Sequence, residues 1–244
     1  MKDVVIVCIN GWNGGGPFGG MVTLKEELQE KLAPLGVPSN NIFRRSWNHG
    51  GDNDTTGTPD VGDLLREIGS RTENPSYLAI IGHSFGGWAA CQLSQKTNRI
   101  PDFVGLFDPV FGIENVIKDR DKPRGLNIQN WFQHNSITYE PCSGVKIPCS
   151  KPYDGFSCGH SNVTDAQNHR ERYEKWESGR VKEVECTILP GVKIKRKVLT
   201  SHMAMDSNPI LHERVKNIIH DDLRKMIVLS QQLQIITALI NRQY

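Results

Sequence analysis

The sequence predicts an α/β fold: a doubly wound, mostly parallel sheet with helices on both faces and an irregular insert. Three observations carry the prediction. Short continuous apolar runs at residues 4–9, 77–81 and 103–107 are rich in Val, Ile, Leu and Phe, as strands buried on both faces are. They alternate with longer segments in which apolar residues recur at helical spacing, the pattern of strands joined by crossover helices. Gly82-His83-Ser84-Phe85-Gly86-Gly87 lies between the second run and a helix-like stretch that begins at Trp88, so strand, tight turn and helix follow one another directly.

Each element has a local reason. Val4-Val5-Ile6-Val7-Cys8-Ile9 reads as the first strand, and a Gly-rich loop from Asn10 to Gly20 follows it. Leu24, Leu28, Leu32 and Leu35 then recur at helical spacing, and Gly36 suits the helix C-terminus. Residues 41–47 form a short strand, and residues 49–59 a polar loop. Asp60 is placed to cap a helix carrying Val61, Leu64, Leu65 and Ile68 on its apolar stripe. After the Ser84 turn and its helix, Phe103 to Phe107 is a strand that ends in Asp108-Pro109, and residues 127–133 alternate as another strand does. From Asn135 to about residue 180 no period is sustained, so this stretch is read as an excursion from the core. Residues 184–188 and 192–199 are strand-like. Asn208-Pro209 then starts a final helix that is expected to bury Ile210, Val215, Ile218, Ile219, Leu223 and Ile227.

A chain of 244 residues with 37% apolar content suffices for one large α/β domain, so residues 1–244 are read as a single domain with an insert at about 135–180. The net charge of +2 balances 29 basic against 27 acidic residues without a basic block, which argues against a nucleic-acid partner. No apolar stretch reaches membrane-spanning length and the N-terminus lacks a signal pattern, so a soluble, cytoplasmic protein without an integral membrane segment is expected. Cys8 and Cys91 are expected to be inert buried thiols. Cys142, Cys149, Cys158 and Cys186 lack paired C-x-x-C spacing and are read as free thiols, with neither metal nor cofactor expected.

The chemistry concentrates on three residues. Ser84 on a strained strand-to-helix turn is a candidate nucleophile, and glycines two positions either side are demanded by the tightness of that turn. A serine hydroxyl needs a base, and His202, beyond the last strands and before a capped helix, is the candidate, with His49 its best rival. Asp108, at the carboxyl end of a strand, is the candidate that orients the base, ahead of Asp102, Asp154, Asp165 and Asp206. Asp206 is assigned instead to the next helix cap, and His83 is expected to point away from the reaction centre. The backbone N–H of Phe85 and of Trp12, with Gly11 as the neighbouring choice, are the candidate donors to an oxyanion. The loop lacks both the Gly-Lys-Ser/Thr and the G-x-G-x-x-G spacing of nucleotide sites.

Asn10-Gly11-Trp12, Gly82 to Gly87, the aspartate of Phe107-Asp108-Pro109-Val110 and the histidine of Ser201-His202-Met203 together resemble the α/β-hydrolase superfamily, particularly its lipase- and esterase-like branch. The resemblance covers about residues 4–228. It implies the α/β-hydrolase fold, hydrolysis of a small acyl substrate through an acyl-enzyme on Ser84, His202 as general base and then acid, Asp108 as its orienter, and no cofactor. The sequence differs from many relatives in having Asn10 where lipases often have histidine, and in placing the aspartate one strand earlier. Residues 135–180 are polar and lack the broad apolar helical face of a lipase lid, so a soluble ester, thioester or amide fits as well as a triglyceride. Acyl transfer, or ligand binding without turnover, are the other readings.

Beyond Lys225, Met226, Ile227, Leu229, Leu233, Ile236, Leu239 and Ile240 continue an apolar stripe on a helical extension at about 229–244. The stripe either folds back onto its own subunit or is covered by self-association or a partner protein.

Overall fold

A computed structural model of the chain describes residues 1–12, 19–48, 57–149 and 159–241. The chain opens with strand β1 (Val4–Asn10), helix α1 (Gly20–Leu32) and strand β2 (Ile42–Ser46). Helix α2 (Val61–Arg71), strand β3 (Tyr77–His83), helix α3 (Phe85–Lys96) and strands β4 (Phe103–Phe107) and β5 (Asn127–Phe132) follow. Short strands β6 (Thr138–Tyr139), β7 (Lys146–Ile147) and β8 (Gln167–Arg170) precede the longer β9 (Glu183–Leu189) and β10 (Val192–Lys197). Two helices, α4 (His202–Asp206) and α5 (Pro209–Ile240), complete the described chain.

The main sheet has six parallel strands in the order β2-β1-β3-β4-β5-β8. Strand alternation divides its side chains between two cores. Val5, Val7 and Ile9 join Leu78, Ile80, Val104 and Leu106 on the face that α2 and α3 cover. Val4, Ile6 and Cys8 join Ala79, Ile81 and Phe103 on the face covered by α1 and α5. The sheet is thus doubly wound. From β1 the chain goes to β2 on one side and on to β3 on the other, so the strand order reverses at β1 and β3, and sheets of this kind bind ligands beyond the carboxyl ends of the strands at such a point.

The capping signals act as the sequence indicates. The Asp60 side chain accepts from Gly62 N at the start of α2, Gly36 is left-handed (φ 77°) after α1, and Asn208 accepts from Ile210 N and Leu211 N at the start of α5.

Three expectations are corrected. Strand β8 lies inside the stretch read as an excursion, yet it is the outer strand of the main sheet, paired with β5 through Gln129–Gln167 to Phe132–Arg170. The cysteines are not all free: Cys142 is disulfide-bonded to Cys186, and Cys149 is also in a disulfide. The first of these links the β6–β7 hairpin to the antiparallel β9–β10 hairpin. Cys8 and Cys91 are free and buried, and burial pushes the Cys8 thiol up to about 12. Cys158 lies outside the described residues. In α5 the buried set is Leu211, His212, Val215, Ile219 and Leu223, whereas Ile210, Ile218 and Ile227 are only half-buried. Of the two readings left open for the apolar stripe beyond Lys225, fold-back onto the same subunit is not seen among the described residues. The helix continues to Ile240 with its later residues in water.

The turn after β3 depends on backbone contact. A methyl group on Gly82 would overlap the Gly86 carbonyl, and one on Gly86 would overlap the Ile9 carbonyl of β1. Gly69, within α2, has nothing within 4 Å of where a Cβ would stand. Gly86→Ala is therefore expected to lower the denaturation midpoint drastically or prevent folding. Gly69→Ala should raise stability by up to about 1 kcal/mol through helix propensity. Urea denaturation of the two variants checks both signs.

Candidate active site

Ser84 stands between the end of β3 and the first residue of α3, with φ 57° and ψ −125°. That left-handed backbone is strained for a residue with a Cβ, and the surrounding hydrogen bonds hold it. Ser84 N donates to Phe107 O (3.0 Å), and Ser84 O accepts from Gly87 N and Val110 N (both 3.0 Å). The elbow is thereby tied to the end of β4 and to the segment that follows Asp108.

Asp108 is the second strained residue, with φ 47°, and its side chain is fully buried. Its backbone N–H donates to Trp131 O (2.7 Å). The carboxyl group needs donors in so dry a place and has three. Gln133 N donates to Oδ1 (2.8 Å), while Gln133 Nε2 (2.8 Å) and His202 Nδ1 (2.6 Å) donate to Oδ2. Gly159 presses its backbone against Asp108, leaving no room for a side chain.

His202 opens α4, with Ser201 as the N-cap. Its backbone N–H donates to Ser136 O (2.9 Å), and the next N–H, of Met203, to Ile137 O (3.1 Å). These bonds set the ring between the other two residues. Because a carboxylate can only accept, Nδ1 carries the proton toward Asp108 and Nε2 keeps its lone pair. The Ser84 hydroxyl then donates to His202 Nε2 at 3.0 Å. Ser84 and His202 are 118 positions apart in the chain and His202 and Asp108 are 94 apart, so only the fold brings them together.

Two supporting residues escape the sequence reading. Gln133 links Asp108 to His202: besides its bonds to Asp108, its Oε1 accepts from Asn135 N (2.7 Å) and Ser136 N (3.1 Å), and Ser136 O in turn receives His202 N. The signal was a polar side chain just past a strand, which looks like any loop residue. His83, expected to point away, instead packs under the His202 ring. The two rings have centroids 4.7 Å apart, and His83 Nε2 donates to His202 O at 3.0 Å. Asp206 is likewise not the cap of α5. Its Oδ2 accepts from Gly20 N (2.8 Å), and its Oδ1 lies 3.7 Å from His83 Nδ1.

Phe85 N begins α3 beside Ser84, at the positive end of the helix dipole. Gly11 follows β1 and lies against the elbow so closely that a Cβ there would be 2.7 Å from Ser84 Cβ and 3.0 Å from Phe85 N. Trp12 comes next, with its side chain about half exposed. The main chain at Gly11 thus borders the serine, while residues 13–18 of that loop lie outside the described residues, as do His49 and Asp154. Asp165 is exposed in a turn far along the chain, and Asp102 bonds Arg99 and Leu78 N at the opposite end of the sheet. Among the described residues, no group of three His, Cys, Asp or Glu is arranged to hold a metal ion.

The fold and the site define a doubly wound α/β protein with a buried Ser–His–Asp hydrogen-bonded chain at its topological switch point. No family model matches the chain, and no curated protein does. Solved structures that are similar in part include the following two. One, described as a YdeN-like hydrolase from Pectobacterium atrosepticum, is 18% identical over 55% of this chain and 65% of its own, with a TM-score of 0.35. The other, described as a hydrolase of the alpha/beta superfamily from Xanthomonas campestris, is 15% identical over 56% of this chain and 73% of its own, with a TM-score of 0.37. The first alignment spans less than two thirds of that protein's length. At these scores neither likeness carries an argument about this chain's chemistry, which rests on the geometry above.

Burial pushes the His83 imidazole below its usual range, against the pull of Asp206 and Asp108 and with the neighbouring His202 adding to the effect. The unfolded chain then binds a proton that the folded one resists, so His83 contributes stability above about pH 6.5 that is lost as pH falls below it. His83→Gln is expected to flatten the fall in denaturation midpoint between about pH 7 and pH 5, as measured by urea titrations across that window.

Proposed function

We propose that this chain is a serine hydrolase that cleaves a carboxylic ester through an acyl-enzyme on Ser84. The single observation that carries the reading is the buried imidazole of His202, with Nε2 3.0 Å from Ser84 Oγ and Nδ1 2.6 Å from Asp108 Oδ2. A bare serine hydroxyl is a weak nucleophile, and this arrangement is what converts it into a strong one.

In the first half-reaction Ser84 Oγ attacks the ester carbonyl carbon as its proton passes to His202 Nε2. The carbonyl oxygen becomes an oxyanion that the N–H groups of Phe85 and Trp12 stabilise. The positive charge gained by His202 is balanced by Asp108. Collapse breaks the bond to the alcohol oxygen, which leaves with the proton from Nε2. In the second half a water molecule gives a proton to Nε2 and attacks the acyl carbon. The carboxylic acid departs, and Ser84 recovers its proton. Asp108 holds the tautomer throughout and does not itself take the proton.

Location follows from other features. No described helix is long and apolar enough to cross a membrane. The disulfide-bonded Cys142, Cys149 and Cys186 favour an oxidising compartment over the cytoplasm that the N-terminal sequence led us to expect.

Ser84→Ala and His202→Ala are each expected to abolish hydrolysis of a short-chain p-nitrophenyl ester with little change in thermal midpoint, because members of such a unit fail together. Asp108→Asn should cost on the order of 10⁴ in kcat, the loss known for the corresponding change in serine proteases. Steady-state kinetics of the purified variants measure all of these, and a variant of any of the three that keeps most of its rate counts against the assignment.

A further inference from the structure

Among the described residues nothing covers the last third of α5, and its pattern says what fits it. Through Leu223 the helix buries one stripe against the sheet: Leu211, Val215 and Ile219 are fully enclosed. Met226 is the last residue packed at the edge of that core. The same stripe runs on as Leu229, Leu233, Ile236 and Ile240, separated by four, three and four residues. That alternation is the seam of a helix pair packed side by side. All four side chains are exposed, Leu233 by 64% and Leu229 by 59%.

Val228, Ile235 and Leu239 flank the seam on one side and are exposed as well. At 100° per residue the seven positions fall within one half of the helix circumference, with Gln232 the one polar residue among them. Ser230, Gln231, Gln234 and Thr237 occupy the other half. From Met226 to Asn241 the sequence has no charged residue.

We infer that this face pairs with the same face of a second copy of the chain, two α5 segments packing across a two-fold axis. Three features select this occupant. A two-fold contact lays the same patch of both copies against each other, so a face of one charge sign would repel its mate, and this face has no charge at all. The area also suffices. With half or more of each Leu, Ile or Val in water, on the order of 70 Å² of apolar surface per side chain at the usual transfer scale, the seven amount to about 500 Å² per copy. Two copies then reach the roughly 1,000 Å² that a specific interface requires. The third feature is the helix itself. Some fifteen residues projecting about 22 Å without tertiary contacts make a marginal helix in water, and a partner helix supplies the packing that such a segment needs. A lipid surface fits less well, because the polar half of the segment lacks the Lys and Arg that interfacial helices carry there.

The test is light scattering and sedimentation of the full chain at about 100 μM, well above the micromolar range in which an interface of this size can dissociate. The wild type should have twice the chain mass. Leu233→Glu/Ile236→Glu should have the single mass, with amide exchange across 229–240 at least about tenfold faster and protection at 211–223 unchanged. Gln231→Glu/Gln234→Glu, charged on the opposite half, should remain dimeric. If the seam variant loses protection at 211–223, truncation after Leu229 replaces it, since the core contacts of α5 end at Met226. That truncation should be a folded monomer. A wild type of single mass overturns the inference, whether it stays free or sediments with anionic lipid vesicles, and so does a dimer that survives both the seam charges and the truncation.

Discussion

A carboxyl group with no access to water must find all of its hydrogen bonds within the protein, and in this molecule the group is Asp108. Its three donors come from two places distant in the chain. Gln133, just past β5, supplies two, and His202, at the head of α4, supplies the third. Leaving such a group unpaired typically costs several kcal/mol, so β5, the segment leading to β6, and α4 are held to one mutual geometry. The Gln133 amide closes the circuit by accepting from Ser136 N, whose own carbonyl fixes His202 N. The serine is placed by different means. Ser84 is held by backbone bonds to Phe107 and Val110, immediately before and shortly after Asp108, so its hydroxyl lies where the imidazole lone pair points.

The strain has a location and an offset. Ser84 and Asp108 both adopt left-handed backbone conformations, each costing on the order of 1–3 kcal/mol for a residue with a side chain. Both lie at the carboxyl edge of a sheet whose strands β1, β3 and β4 are enclosed on both faces. The backbone contacts among Gly82, Gly86 and Ile9 prevent the elbow from relaxing. Under His202 lies His83, a buried imidazole that fixes the height of the His202 ring above the sheet and makes this part of the core sensitive to acid.

Much of this was legible because it is written locally. Continuous Val and Ile runs mark strands covered on both faces, and glycines two positions from Ser84 mark a turn that excludes side chains. Asp60 and Asn208-Pro209 mark helix starts. What was not legible depends on distant packing. Strand β8 is Gln167-Asn168-His169-Arg170, an outer strand largely open to solvent, so it has no apolar run and only its backbone pairing with β5 reveals it. The pairing of Cys142 with Cys186 spans 44 residues and arises only when two hairpins come together. In α5 apolar residues are so frequent that the sequence does not fix the phase of the buried stripe, which explains why Leu211 and His212 were missed and Ile210 was included. The roles of His83 and Gln133 are set by what lies across from them in space.

The central claim is that His202, held by Asp108, makes the Ser84 hydroxyl a nucleophile, and covalent trapping addresses it most directly. The chain is treated with a fluorophosphonate, which modifies activated serines and leaves ordinary ones untouched, and the adduct is located by peptide mass spectrometry. The account predicts one stoichiometric adduct, on Ser84, that forms in the wild type and is lost in His202→Ala. An unmodified Ser84 in the folded wild type, or an adduct that forms as fast without His202, would contradict it.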